Sequence, residues 1–193
     1  MSFGPVLDAA LEAQQACINT GYRFCVIGGV ALQRWGEPRF TADVDLSVLV
    51  EPGQEARAVR TLLDELPARI DDAPGFAERT RVVLAQSDQG VGIDIVLAGL
   101  PFEERVIERS SHWRLGDSAT LRTCSAEDLL VMKAFAARDK DWADVTSILE
   151  RQAGKLDLDL VRAELSPLVA AKEAPEIIDG LERRIRQHWN PSS

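Results

Sequence analysis

The stretch from Tyr22 to Val50, YRFCVIGGVALQRWGEPRFTADVDLSVLV, constrains this chain more than any other. Arg23 to Ile27 is apolar and partly β-branched, which predicts a buried strand, and Gly28-Gly29 ends it. Val30 to Trp35 has helical spacing, closed by Gly36 and Pro38. Asp43 to Val50 (DVDLSVLV) reads as a second strand. Side chains two apart on a strand share a face, so Asp43 and Asp45 project together, flanked by Val44 and Leu46.

Two carboxylates facing one way repel each other unless a cation lies between them. Hard oxygen ligands on a rigid strand suit Mg²⁺, which keeps several waters and binds substrate phosphates as well. Gly28 and Gly29 lack Cβ atoms, so their backbone N–H groups can approach a phosphate beside a helix N-terminus. A phosphate cradle and a metal pair joined by one short helix is what nucleotidyl transfer needs. The plain alternative is a glycine turn followed by a strand end with solvated acids. A lone D-x-D is common. The full order of strand, Gly-Gly, helix and Arg-x-Thr-x-Asp-x-Asp-Leu is much rarer and favours the functional reading.

On Gly28, Gly29, Arg39, Thr41, Asp43, Asp45 and Leu46, the segment resembles the nucleotidyltransferase superfamily that includes the DNA polymerase β-like enzymes. It is most similar to the abortive-infection-type and toxin–antitoxin nucleotidyltransferases. The usual turn of the superfamily is Gly-Ser, and Gly29 takes the serine position, a Gly-Gly variant seen in abortive-infection-type members. The resemblance implies an α/β (α+β) nucleotidyltransferase fold, with a mixed central sheet flanked by helices and a helical C-terminal part. It also implies two Mg²⁺ ions held by Asp43 and Asp45, and a nucleoside triphosphate as substrate.

A third acid is expected in the strand Val91 to Ala98 (VGIDIVLA), where Asp94 interrupts Ile93, Ile95, Val96 and Leu97. A carboxylate among such neighbours is costly without a partner. The superfamily carries its third acid in an apolar-Asp-apolar strand, and Asp94 is assigned as metal ligand and catalytic residue by that resemblance. The bland alternative is a strand-end aspartate facing water.

The second stretch of resemblance is Glu127 to Leu149 (EDLLVMKAFAARDKDWADVTSIL). Toxin-like members carry a lysine on a helix, then a basic and acidic stretch and a second helix. The counterparts here are Lys133, Arg138-Asp139-Lys140-Asp141 and Asp144. Lys133 lies among apolar neighbours and needs an anionic partner. A triphosphate meets that need, and so does Asp141 or Asp144, which share a helix face at a spacing of three. Lys133 is accordingly expected as a catalytic and nucleotide-binding residue. Asp141 and Asp144 either hold it toward the nucleotide or form a salt-bridge cluster between two packed helices. Gly28, Gly29, Arg39 and Thr41 complete the expected nucleotide-binding set.

The remaining chain predicts helices over Pro5 to Thr20, Gln54 to Leu66 and Pro101 to Ser110, a loop over Pro67 to Phe76, and strands over Arg79 to Ala85 and Val91 to Ala98. His112 to Thr123 reads as a hairpin, and Ser125 as the cap of the following helix. Leu156 to Val169 and Pro175 to Trp189 are expected helices, the first broken or kinked at Pro167. Residues 1–124 are thus expected to form the nucleotidyltransferase core, with residues 125–193 a helical part packed on it.

Composition bounds the partners. A formal charge of −9 argues against a broad nucleic-acid-coating surface. Arg57, Arg60, Arg69, Arg79 and Arg81 are scattered, and Arg183, Arg184 and Arg186 form the densest basic patch, read as a solvated helix end. Cys17, Cys25 and Cys124 lack metal-ligand spacing and predict buried thiols. No apolar run reaches membrane-spanning length and no leader pattern opens the chain, so a cytoplasmic protein with no membrane partner is expected. Three functions follow from the resemblance: transfer to RNA such as tRNA or to protein, in the manner of toxins with a cognate antitoxin; transfer to a small molecule of aminoglycoside type; or a catalytically inactive nucleotide-binding partner.

Overall fold

The computed structural model describes residues 2–189. Contacts divide the chain into two compact units, Met1–Ala31 with Phe40–Cys124, and Leu32–Arg39 with Ser125–Ser193. Of these, residues 1 and 190–193 lie outside the described residues.

The first unit is a sheet covered by helices. Among the described residues it comprises α1 (Pro5–Thr20), β1 (Phe24–Ile27), β2 (Asp43–Leu49), α3 (Glu55–Glu65), α4 (Ala73–Thr80), β3 (Val82–Gln86), β4 (Gly92–Ala98), α5 (Pro101–Glu108), β5 (Ser111–Leu115) and β6 (Ala119–Thr123). The six described strands run in the order β3-β4-β2-β1-β6-β5. β2 pairs antiparallel with β1 and parallel with β4. β1 is parallel to β6, so the sheet is mixed.

Period-two alternation sorts the strands. Phe24, Val26, Val44, Leu46, Val48, Val83, Ala85, Ile93, Ile95 and Leu97 join Ala9, Ala10, Ala13 and Cys17 of α1 and Leu62 of α3 in one apolar core. Burial pushes the Cys17 thiol up to about 12, and Cys17, Cys25 and Cys124 form no disulfide. The alternate residues of β2 and β4, including Asp43, Asp45, Gly92 and Asp94, turn to the other face.

One local expectation changes. Part of the expected loop over Pro67 to Phe76, with the start of the expected strand at Arg79, is the helix α4. Asp72 accepts a hydrogen bond from the Gly75 N–H at 3.0 Å, and Pro74 sits in the first turn where its missing N–H costs nothing. The residues before it, Pro67 to Arg69, lie along β3: Ala68 bridges Ala85, and the Arg69 N–H donates to the Leu84 carbonyl at 2.9 Å.

The second unit is helical. α2 (Gly28–Trp35) begins in the first unit and its last turn belongs to the second, with α6 (Ala126–Ala136), α7 (Asp139–Arg151), α8 (Leu158–Lys172) and α9 (Glu176–His188). Ser125 caps α6 by accepting from the Asp128 N–H at 3.0 Å. α8 carries Pro167 within its span rather than ending there. Leu32–Arg39 is tied to α7: Arg151 donates to the Gly36 carbonyl, Gln152 to the Trp35 carbonyl, and Ser147 Oγ accepts from the Glu37 N–H. A Cβ on Gly36 would meet Ser147 Oγ at 2.6 Å, so glycine lets this segment lie flat on the helix. No described helix is long and apolar enough to cross a membrane.

Candidate active site

Three of the expected acids share one face of the sheet. Asp43 and Asp45 stand two apart on β2, and Asp45 is the register partner of Asp94 on the parallel strand β4. Register partners project the same way, so all three carboxylates leave one face. Asp43 is exposed, and Asp45 and Asp94 are half-buried. Val44, Leu46, Ile93 and Ile95, fully buried behind them, fix which side the acids occupy.

Gly28 closes the same end of the sheet. Ile27, the last residue of β1, pairs with Asp45, and the chain turns into α2 at Gly28 with φ +62. A Cβ there would run into the Asp45 carboxylate. Both the left-handed conformation and the space require glycine. At Gly29 a Cβ would meet Thr41 Oγ1 at 2.5 Å. The Thr41 hydroxyl donates to the Asp43 carbonyl at 3.2 Å and lies 3.5 Å from Asp43 Oδ1. The two glycines and Thr41 thus belong to the acid end of β2.

Arg69, one of the arginines that the sequence leaves scattered, is also on this face. Its Nη2 is 2.5 Å from Asp94 Oδ1. A Cβ on Gly92, the register partner of Asp43, would run into the same guanidinium. Proximity to Asp94 comes from the pairing of Pro67 to Arg69 along β3, which no local pattern announces. Among the described residues, no three acids, histidines or cysteines stand close enough together to hold a metal ion. The donors nonetheless suit a hard divalent cation of the Mg²⁺ kind, which takes one or two carboxylates and fills its shell with phosphate oxygens and water.

The other expected residues form a separate network in the helical unit. Lys133 Nζ lies 2.8 Å from Asp144 Oδ2 and 3.3 Å from Asp141 Oδ1. Arg39 binds Asp144 through both oxygens, Nε to Oδ1 and Nη2 to Oδ2, each at 2.8 Å. Arg138 grips Asp141 in the same two-pronged manner. Asp141 and Asp144 are buried, and among the described residues no buried side-chain nitrogen or oxygen lacks a partner. Burial alone would raise both carboxyls. Hydrogen bonds and charge from Arg138 and Lys133 for Asp141, and from Arg39 and Lys133 for Asp144, outweigh it and hold both below the usual carboxylate range.

The spacing of three between Asp141 and Asp144 therefore brings both onto Lys133. Arg39 and Lys133 meet through Asp144, which nothing in the sequence pattern specifies.

Residues 10–190 match the family described as nucleotidyl transferase AbiEii toxin, type IV toxin–antitoxin system. No curated protein matches the chain. Among solved structures, the chain is similar to an antigenic nucleotidyltransferase-like protein from Paracoccidioides brasiliensis, with 16% identity, 91% of each chain covered and a TM-score of 0.50. It is also similar to the antibiotic-resistance factor ANT(2'')-Ia, with 15% identity, 92% of this chain and 95% of the other covered, and a TM-score of 0.45.

Proposed function

Because the chain belongs to the AbiEii nucleotidyltransferase toxin family, we propose that it moves a nucleoside monophosphate from a nucleoside triphosphate to a hydroxyl of RNA, the hydroxyl oxygen bonding to the α-phosphate as pyrophosphate leaves, in a Mg²⁺-dependent reaction restrained by a cognate antitoxin. The observation that carries the reading is the register of β2 and β4, which puts Asp43, Asp45 and Asp94 on one face beside the left-handed turn at Gly28.

Asp43 and Asp45 would hold the divalent cation, and Asp94, on the same face but paired with Arg69 and not clustered with them, would have to close in as the further ligand when cation and nucleotide bind. Bound there, the cation would neutralise triphosphate charge and lower the pKa of the acceptor hydroxyl. The chain's own residues do the rest. Gly28 and Gly29 offer backbone N–H groups at the start of α2, with no side chain to keep a phosphate away. Thr41 fixes the approach to Asp43 through its hydroxyl. Asp94 is the acid available to take the acceptor proton. In the helical unit, Lys133 with Asp141 and Asp144 holds Arg39, which begins the short lead into β2. Lys133, Asp141 and Asp144 act in this reading as positioning residues.

An anionic acceptor is supported by a cavity of about 380 Å³ in the helical unit whose charged lining is Lys172, Arg183 and Arg184 against the single acid Glu176. Arg184 lies over the Trp142 ring at 4.2 Å, which holds the guanidinium at this wall.

The test is incubation of the full chain with Mg²⁺, each of the four α-labelled nucleoside triphosphates and total cell RNA or RNA-free lysate. Label entering RNA only with Mg²⁺, and lost in Asp43→Asn, is the expected result. Label confined to protein or to a small molecule would replace the acceptor. Absence of transfer to every acceptor while nucleotide still binds would favour an inactive binding partner.

A further inference from the structure

Asp94 is paired with the guanidinium of Arg69, whose backbone is held beside it. Arg69 is not on a free loop: its N–H donates to the Leu84 carbonyl, and Ala68 bridges Ala85, so its Cα is fixed along the outer edge of β3. Leu84 is in turn the register partner of Asp94. From there the side chain crosses to β4, where Nη2 meets Asp94 Oδ1 at 2.5 Å. Gly92, two residues before Asp94 on the same face, leaves the space that the guanidinium fills.

We propose that Arg69 is a latch on the acid face. It occupies Asp94 while the site is empty, and exchanges that carboxylate for a phosphate oxygen of the nucleoside triphosphate when substrate and divalent cation bind together. This rests on the assignment of Asp43, Asp45 and Asp94 to the metal.

The physical reason is competition for one carboxylate. A guanidinium and a divalent cation both lower the energy of an ionised Asp94, and each weakens the hold of the other. With Arg69 in place, a cation arriving alone meets a face already partly neutralised. A triphosphate offers the guanidinium a second anion of fitting geometry, since arginine binds phosphate and carboxylate through the same fork. Nucleotide therefore releases Asp94, and released Asp94 strengthens the cation site. The coupling is reciprocal by thermodynamic necessity. Both ends of the pair are about 30% exposed, 30% at Arg69 and 29% at Asp94, so exchange costs far less than opening a buried pair. The consequence is that cation and nucleotide bind as one event, which limits idle occupation of the site by metal.

Two variants of the full chain separate the parts of the latch. Arg69→Gln removes the charge. Gly92→Ala keeps it but pushes the guanidinium off Asp94, because the new methyl group takes its space; the backbone at Gly92 has no positive φ to strain. Mn²⁺ alone, titrated into each protein and followed by electron paramagnetic resonance, reads the first half of the exchange. Both variants are expected to bind Mn²⁺ more tightly than the parent, by roughly threefold to tenfold. Binding of fluorescent nucleoside triphosphates at saturating Mn²⁺ reads the second half. Arg69→Gln is expected to weaken it several-fold, and Gly92→Ala to weaken it less. Unchanged or weaker Mn²⁺ binding in both variants overturns the latch, as does nucleotide binding unaffected by loss of Arg69. Asp43→Asn and Asp45→Asn mark the underlying assignment. If they bind Mn²⁺ as the parent does, the acid face is not the metal site and the latch falls with it. If they lose Mn²⁺ while Arg69→Gln changes nothing, the latch alone is rejected.

Discussion

Two sets of charges distinguish the units of this protein. On the sheet, Asp43 is exposed and Asp45 and Asp94 are half-buried, at the edge of a face shaped by glycines. In the helices, Asp141 and Asp144 are buried and bound by Lys133, Arg39 and Arg138. Water still reaches the first set, including the Arg69–Asp94 pair, so these carboxylates can take up a cation at modest cost. The second set has given up its solvent and depends on its neighbours. Carboxylates at similar short spacings, two and three, thus stand in two different environments, and burial is what separates them.

The widest separation is expected between activity and stability in the acids themselves. Asp45→Asn should reduce nucleotide transfer by about 4 kcal/mol of barrier, roughly a thousandfold, with a melting temperature at or above that of the parent. Asp43→Asn should behave alike. A fall in stability matching the fall in transfer would erase the distinction, because it would make the sheet acids structural as well.

Lys133 attacks the comparison from the other side. Lys133→Met leaves Asp141 with Arg138 and Asp144 with Arg39, so the loss is smaller than for stranding a lone buried charge. About 3 kcal/mol of unfolding free energy is expected to go, measured by urea denaturation. Unchanged stability with transfer abolished would move Lys133 into the catalytic set that the family resemblance implies for it.

Much of this was legible in the sequence, and the limits are physical. The period of two placed Asp43 and Asp45 together because a strand permits nothing else. The i, i+3 spacing brought Asp141 and Asp144 to one side for the same kind of reason. Asp94 needed more: its alignment with Asp45 depends on which strands pair, and β2 and β4 are separated in sequence by α3, α4 and β3. Arg69 was illegible because its position comes from a bridge to β3 that leaves no periodic trace. α4 is hard to see in the sequence although Asp72 and Pro74 carry its cap and first turn, since Pro67, Pro74 and Gly75 in one short segment have the composition of a loop. The hydrogen bonds of segment 32–39 to α7 join residues 115 and 117 apart in the chain, a pairing that no local pattern carries.

Gly28→Ala is the intermediate case. It forces a non-glycine residue to φ +62 and drives a methyl group into the Asp45 carboxylate. The backbone conflict should cost about 1–2 kcal/mol, and displacement of Asp45 should lower transfer further than that destabilisation explains. Transfer at the parent level would show that the contact between turn and acid is not part of the active arrangement. Gly29→Ala is the milder companion, because its conflict is with Thr41 alone and its φ is not positive.

The smallest effect tests the buried network by pH. Arg138 is 62% exposed on its side chain while its partner Asp141 is fully buried. Solvent screens the exposed guanidinium, so Arg138→Gln should cost no more than about 1 kcal/mol at pH 7. The sign of its pH dependence follows from Asp141, whose carboxyl is held below the usual range against the pull of burial by Arg138 and Lys133. A depressed carboxyl contributes stability above its unfolded value near pH 4, and that contribution disappears as pH falls through the folded value. Parent and variant should therefore differ at neutral pH and converge as pH falls through the lowered folded value of Asp141, where the carboxyl becomes protonated. Urea melts across that range measure the convergence. A gap that stays constant into acid would mean that Arg138 stabilises α7 by packing its stem rather than by its charge on Asp141, and the helical network would then rest on Lys133 and Arg39 alone.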